Sequence, residues 1–152
     1  MDQSILNKLQ NFCAYQERSH EEVRSKLLAM KIYGEDLELY IIALIEENFL
    51  NEQRYACAIA RGKFKFKKWG RIKIKYALKQ EKVSAYCIQQ AMKEIDEDEY
   101  EKTLYDLAEK KLASLSEEKN KFAKMTKLKN YLLQKGYETE LIHQIVQHQL
   151  SN

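Results

Sequence analysis

Eight cationic side chains in the middle of the chain have the type and spacing to do chemistry: Lys63, Lys65, Lys67, Lys68, Arg71, Lys73, Lys75 and Lys79. They are interleaved with Phe64, Phe66 and Trp69, the single tryptophan. Residues 61–82 hold ten Lys/Arg against one acid, Glu81. The flanks lean the other way. Residues 1–60 carry six Lys/Arg and ten Asp/Glu, and residues 83–152 carry ten Lys and twelve acids. So clustered a field favours an anionic partner, either a polyanion or an acidic protein surface. The chemistry implied is steering and neutralisation. Each phosphate neutralised would add roughly 0.9 to the slope of log affinity against log salt.

Other chemistry finds little support. There is no Gly-rich phosphate loop and no GxSxG. His20, His143 and His148 have no HExxH or CxxC companion. Cys13, Cys57 and Cys87 are widely spaced among apolar neighbours and read as buried reduced thiols. No catalytic residue, metal or cofactor is therefore expected, and the protein is not expected to be an enzyme. The acidic run Glu94 to Glu101 reads as a solvated helix end and start. No apolar run approaches the ~20 residues that span a bilayer. The N-terminus MDQSILNKLQ lacks the basic and apolar regions of a secretory signal. A cytoplasmic location without membrane contact is expected.

The elements that must position the cations read as helices. The 152 residues include no proline and four glycines, with 45% hydrophobic residues. A β-fold would need turn residues every ~8–12 positions. A repeat runs through the chain. VRSKLLAMKIYGEDLELYIIALI from Val23, IKYALKQEKVSAYCIQQAMKEI from Ile74 and LKNYLLQKGYETELIHQIVQHQ from Leu128 align without gaps. Equivalent apolar positions are Val23/Ile74/Leu128, Leu27/Leu78/Leu132, Ile32/Val83/Tyr137, Leu37/Ile88/Ile142 and Ile41/Met92/Val146. Steps of four keep one helix face, and steps of five cross a turn into a second helix. Each hairpin is preceded by a further amphipathic segment. Ser19 to Glu22 forms an S-x-x-E capping box, and Gly34, Ser84 and Thr139 fall near the turns as candidate caps. The expected fold is all-α, with three tandem three-helix repeats stacked into an elongated, curved module. The repeats are expected at residues 1–50, 51–96 (basic) and 97–152.

The stretch GKFKFKKWGR, Gly62 to Arg71, alternates lysine and phenylalanine as a half-buried strand would. The longer helical period of Tyr55, Ala58, Ile59, Gly62, Phe66 and Trp69 should prevail. On that register Phe66 and Trp69 join the core stripe and Phe64 lies off it. Gly70 ends or kinks the helix, and Arg71 starts the next.

RSHEEVRSKL (Arg18 to Leu27), FLNEQRYACAIAR (Phe49 to Arg61) and WGRIKIKYALKQEKVSAYCI (Trp69 to Ile88) carry a family likeness. In this order, on three helical units, the chain resembles the RecX family of bacterial regulatory proteins. Two departures stand out. The family's acidic pair appears as Asn51-Glu52, and its glycine in KG[IV] appears as Lys82 before Val83. At Lys82 the turn either avoids the left-handed backbone or holds a lysine there at a cost of ~1 kcal/mol. The resemblance implies regulation of the RecA recombinase. A module of this kind lies in the groove of the RecA–DNA filament and limits its assembly, ATP hydrolysis, strand exchange and repressor co-cleavage. The eight cations would then face the filament, meeting acidic RecA surface, DNA phosphate or both. The alternative is a helical protein acting directly on single- or double-stranded DNA, with Phe64 and Trp69 stacking on bases. No coiled-coil seam is visible, so a monomer is expected.

Overall fold

The structure is a computed structural model that describes residues 1–151. Among them lie nine α-helices and no strand: α1 Gln3–Tyr15, α2 His20–Ala29, α3 Gly34–Glu46, α4 Glu52–Lys67, α5 Arg71–Gln80, α6 Ala85–Met92, α7 Glu97–Ser114, α8 Lys121–Lys135 and α9 Thr139–Ser151. The chain packs into two compact units. One comprises Met1–Ile59 with Leu78–Ala91, and the other Ala60–Ala77 with the chain from Met92 onward. Helices α4 and α5 each contribute residues to both units.

In the first unit, Leu9, Val23, Leu27 and Leu44 are fully buried. Ser19 caps α2 as its sequence signature requires. Its hydroxyl accepts from the Glu22 amide at 2.9 Å, while the Glu22 carboxylate accepts from the Ser19 amide at 3.0 Å. The same buried hydroxyl donates to Glu81 at 2.7 Å, tying the α2 cap to the end of α5. In the second unit the buried centre includes Ile74, Tyr100, Leu104, Leu128, Leu132, Tyr137 and Ile142.

The repeat is closely kept in its turns. The amides of Lys31, Lys82 and Gly136 donate to the carbonyls of Leu28, Lys79 and Leu133 at 2.9, 2.9 and 3.0 Å. The next amides, of Ile32, Val83 and Tyr137, donate to Leu27, Leu78 and Leu132 at 3.0, 3.1 and 3.3 Å. All three turn residues have positive φ: 63° at Lys31, 58° at Lys82 and 96° at Gly136. Lys82 therefore occupies the left-handed backbone that glycine would fill without cost. Because a side chain in this region costs about 1–2 kcal/mol and glycine's extra freedom when unfolded returns part of it, Lys82→Gly should stabilise the protein by about 0.5–1 kcal/mol. Urea unfolding of the variant beside the parent measures this, and a lower midpoint would count against it.

Several expectations need correction. On α4 the buried residues are Tyr55, Ala56, Ala60 and Phe64, while Phe66 is 76% exposed. The stripe runs along the four-residue ladder Ala56–Ala60–Phe64, whose two small side chains allow close helix approach. Phe66 is two residues from Phe64, so it points well away from that face. Trp69 is half-buried and lies beyond the helix end. Gly70 does not end α4. Lys68, at φ 60°, closes it: the Lys68 amide donates to Phe64 and the Trp69 amide reaches back to Lys63, at 3.1 and 3.2 Å. Gly34 and Thr139 are first residues of their helices rather than caps, whereas Ser84 does cap α6 by accepting from the Cys87 amide at 3.2 Å. Cys13 and Cys87 are buried thiols, but Cys57 is only half-buried; none of the three is in a disulfide.

Candidate functional site: the basic face of α4 and α5

The end of α4 and the whole of α5 carry the cations, but not in equivalent settings. Lys65, Lys67, Lys68, Lys75 and Lys79 are exposed and have no carboxylate partner among the described residues. Lys63 and Lys73 are half-buried against Trp69, their ammonium groups 4.9 and 4.6 Å from its ring centroid. Lys73 also donates to the Gln134 carbonyl at 3.3 Å. Lys135, which sequence reasoning did not select, donates to the Lys67 carbonyl at 3.2 Å. These last two contacts place cations at the carbonyl ends of α8 and α4, where the helix dipoles are negative.

Arg71 departs furthest from expectation. Its guanidinium pairs with Glu138 at 2.8 Å and Glu97 at 2.7 Å, and its central carbon lies 3.8 Å from the Tyr100 ring centroid. The Arg71 amide donates to the Tyr100 oxygen at 3.0 Å, and the Tyr100 hydroxyl donates to Glu138. Burial alone would raise the Glu138 carboxyl. The hydrogen bonds from Tyr100 and Arg71 outweigh it and hold the group below the usual carboxylate range. Burial, reinforced by the bond to Glu138, pushes the Tyr100 phenol upward. Arg71 thus locks the start of α5 to α7 and to Glu138, the residue before α9, and is withdrawn from the surface set. Its partners lie 26 to 67 residues away in sequence, so no local pattern could reveal them.

A depression of about 530 Å³ beside α4 is lined by Lys65 and Lys68 together with Glu94, Glu99, Lys102 and Asp106. Arg61 on its wall pairs with Glu94. Acids therefore offset part of the positive field at Lys65 and Lys68, whereas Lys67, Lys75 and Lys79 do not line this depression. Phe66 stands exposed between Lys65 and Lys67 in the chain, with the Lys65 ammonium 5.5 Å from its ring centroid. Among the described residues no group of His, Cys, Asp or Glu could hold a metal, and no helix is long and apolar enough to cross a membrane.

Most of the chain matches known family domains. Residues 51–92 match the second three-helix domain of RecX, and residues 97–146 match the third. The chain belongs to the RecX family. The RecX regulatory protein of Clostridium botulinum strain Eklund 17B is 34% identical over 131 residues, spanning 85% of this chain and 60% of that protein. The RecX regulatory protein of Clostridium perfringens strain 13 is 32% identical over 136 residues, spanning 89% of this chain and 63% of its own length. The chain thus spans about three-fifths of these curated relatives. The crystal structure of RecX from Lactobacillus salivarius superposes with a TM-score of 0.82 at 26% identity, covering 94% of this chain and 92% of that one. A second RecX crystal structure, at 17% identity and a TM-score of 0.83, shares the fold. The all-α architecture of three-helix repeats is that of the RecX family.

Proposed function

We propose that the protein binds the RecA–DNA filament through the exposed lysines of α4 and α5. On this reading it restrains the recombinase, ATPase and co-protease activities of RecA without catalysing a reaction itself. The observation that carries the reading is the set Lys65, Lys67, Lys68, Lys75 and Lys79, exposed and without an ion-pair partner among the described residues, on a RecX-family fold. Arg71 serves the fold rather than the partner. Lys63 and Lys73 act by holding Trp69 in place and by adding to the local field.

The test combines Lys65→Glu, Lys67→Glu and Lys68→Glu and measures binding to filaments of RecA on single-stranded DNA with ATP, at several salt concentrations. Binding should weaken by at least roughly tenfold at low salt, and the deficit should narrow as salt rises. Full retention would move the site elsewhere. If the parent protein, at stoichiometric amounts, leaves ATP hydrolysis and filament length unchanged, the reading itself is wrong.

A second reading, direct binding to single-stranded DNA, is favoured by one observation. Phe66 is an exposed aromatic set between Lys65 and Lys67, an arrangement suited to base stacking beside phosphate contacts. Phe66 takes the stacking role expected of Phe64, which is buried. Phe66→Ala should weaken binding to single-stranded DNA without RecA if this reading holds, and a parent protein that does not bind single-stranded DNA alone would overturn it.

A further inference from the structure

We propose that the protein associates with a second copy of itself, the outer face of α3 on one copy seating on the outer face of α5 on the other. Helix α3 carries apolar residues on both sides, and on the outer side Glu38, paired with Arg24, stands among them. Leu37, Tyr40, Ile41 and Leu44 face inward and are buried, yet Leu39, Ile42 and Ile45 are 53, 47 and 44% exposed. Steps of three spread this outer triplet over about 120° of the helix surface. Single exposed apolar residues are ordinary, but three on one helix form a patch that needs an occupant. Glu35 and Glu46 stand at its two ends, exposed and without a cationic partner among the described residues.

Helix α5 presents the complementary pattern. Ile72 and Tyr76 are 50 and 63% exposed and alternate with exposed Lys75 and Lys79. These four residues, at i, i+3, i+4 and i+7, share about 100° of the helix. Each face offers apolar surface to be removed from water, and the two rims carry opposite charge. Neither face suits itself. Two α3 faces would set acid against acid, and two α5 faces lysine against lysine. Each contact therefore sets one α3 face against one α5 face, and every copy carries one of each. One helix on one helix buries less than a standard interface of ~1,600 Å². Association is therefore expected to be weak, with monomers at low concentration.

Sedimentation velocity on the protein alone tests this, without RecA or nucleic acid, so it can fail independently of the proposed filament binding. The parent should show a sedimentation coefficient that rises with concentration toward the millimolar range and rises less at high salt. Ile42→Lys and Tyr76→Glu should each abolish the rise. An equimolar mixture of the two should regain association but stop at a one-to-one pair, because only one intact α3 and one intact α5 can meet. Leu39→Lys serves in place of Ile42→Lys should circular dichroism show that variant to be misfolded. A parent that stays monomeric at all concentrations would overturn the proposal. So would variants that associate alone, or a mixture that does not.

Discussion

Gly70→Ala should destabilise the protein by about 3 kcal/mol, although it adds one methyl group. The reason is backbone meeting backbone. A Cβ on Gly70 would lie 2.3 Å from the Gly136 carbonyl oxygen, 2.4 Å from its carbon and 2.6 Å from the Tyr137 nitrogen. None of these atoms can swing aside as a side chain would. They are pinned in turn, because the Gly70 amide donates to Lys135 at 2.7 Å and the Ile72 amide donates to Gly136 at 3.0 Å. The contact is mutual in its demand for glycine. Gly136 has φ 96°, and a Cβ there would meet the Lys73 Cβ at 2.3 Å. Gly62 supplies the control. It lies within α4, and a Cβ there would meet nothing within 4 Å, so Gly62→Ala should stabilise by about 0.5–1 kcal/mol through helix propensity. The same chemical change is thus expected to have opposite signs at two glycines of one short basic segment. Urea unfolding followed by far-ultraviolet circular dichroism measures both. A Gly70→Ala protein within about 0.5 kcal/mol of the parent would mean the seam yields more than its hydrogen bonds suggest.

Tyr100→Phe should cost about 2 kcal/mol near neutral pH and also flatten the acid limb of stability. Removing the hydroxyl leaves the Arg71 amide without its acceptor and takes one donor from Glu138. The sign of the pH effect follows from the depressed carboxyl of Glu138. Below the ordinary glutamate value of ~4.3, the unfolded chain binds this proton more readily than the folded one. Stability from the network is therefore complete above that value and declines as pH falls through the lower, folded value. Without the tyrosine hydroxyl the folded carboxyl moves back toward its unfolded value, and less stability remains to be lost to acid. Unfolding free energies between about pH 2 and 7 compare the two proteins. Parallel acid limbs would show that Glu138 does not report on this contact. Arg71→Lys offers a further check, since a single ammonium cannot hold Glu97 and Glu138 in the forked geometry that the guanidinium provides.

The repeat is legible in the sequence because it rests on local rules. A leucine five residues before the next apolar position marks a helix, a turn and a second helix. The carbonyls of Leu27, Leu78 and Leu132 accept the same turn bond in all three places. The Ser19 cap is legible for the same reason. The choice between Phe64 and Phe66 is harder. Both sit in a short Lys/Phe alternation, and the decisive signal is the ladder through Ala56 and Ala60. Alanine weighs little in a hydrophobic pattern, yet it lets helices approach closely. At the candidate site, charge density is visible in the sequence but its compensation is not. Which cations stay free depends on Glu94, Glu97, Glu138 and Tyr100, and these reach α4 and α5 only through the tertiary fold. The glycines show the same division. The sequence sets Gly62 within a helix and Gly70 at its end, but the backbone of Gly136 and Tyr137 that forbids a side chain at Gly70 is met only in the fold.

The left-handed lysines have a consequence for how much of this protein a cell keeps. Lys31, Lys68 and Lys82 each hold a turn in a backbone region where a side chain is a handicap. In cells the unfolded fraction feeds proteolysis, and a change of about 1–2 kcal/mol can alter abundance several-fold. Turn residues can therefore set the dosage of the regulator while the exposed lysines of α4 and α5 stay as they are. If those lysines bind the partner as proposed, copy number and affinity are separately adjustable, the first through backbone strain and the second through surface charge.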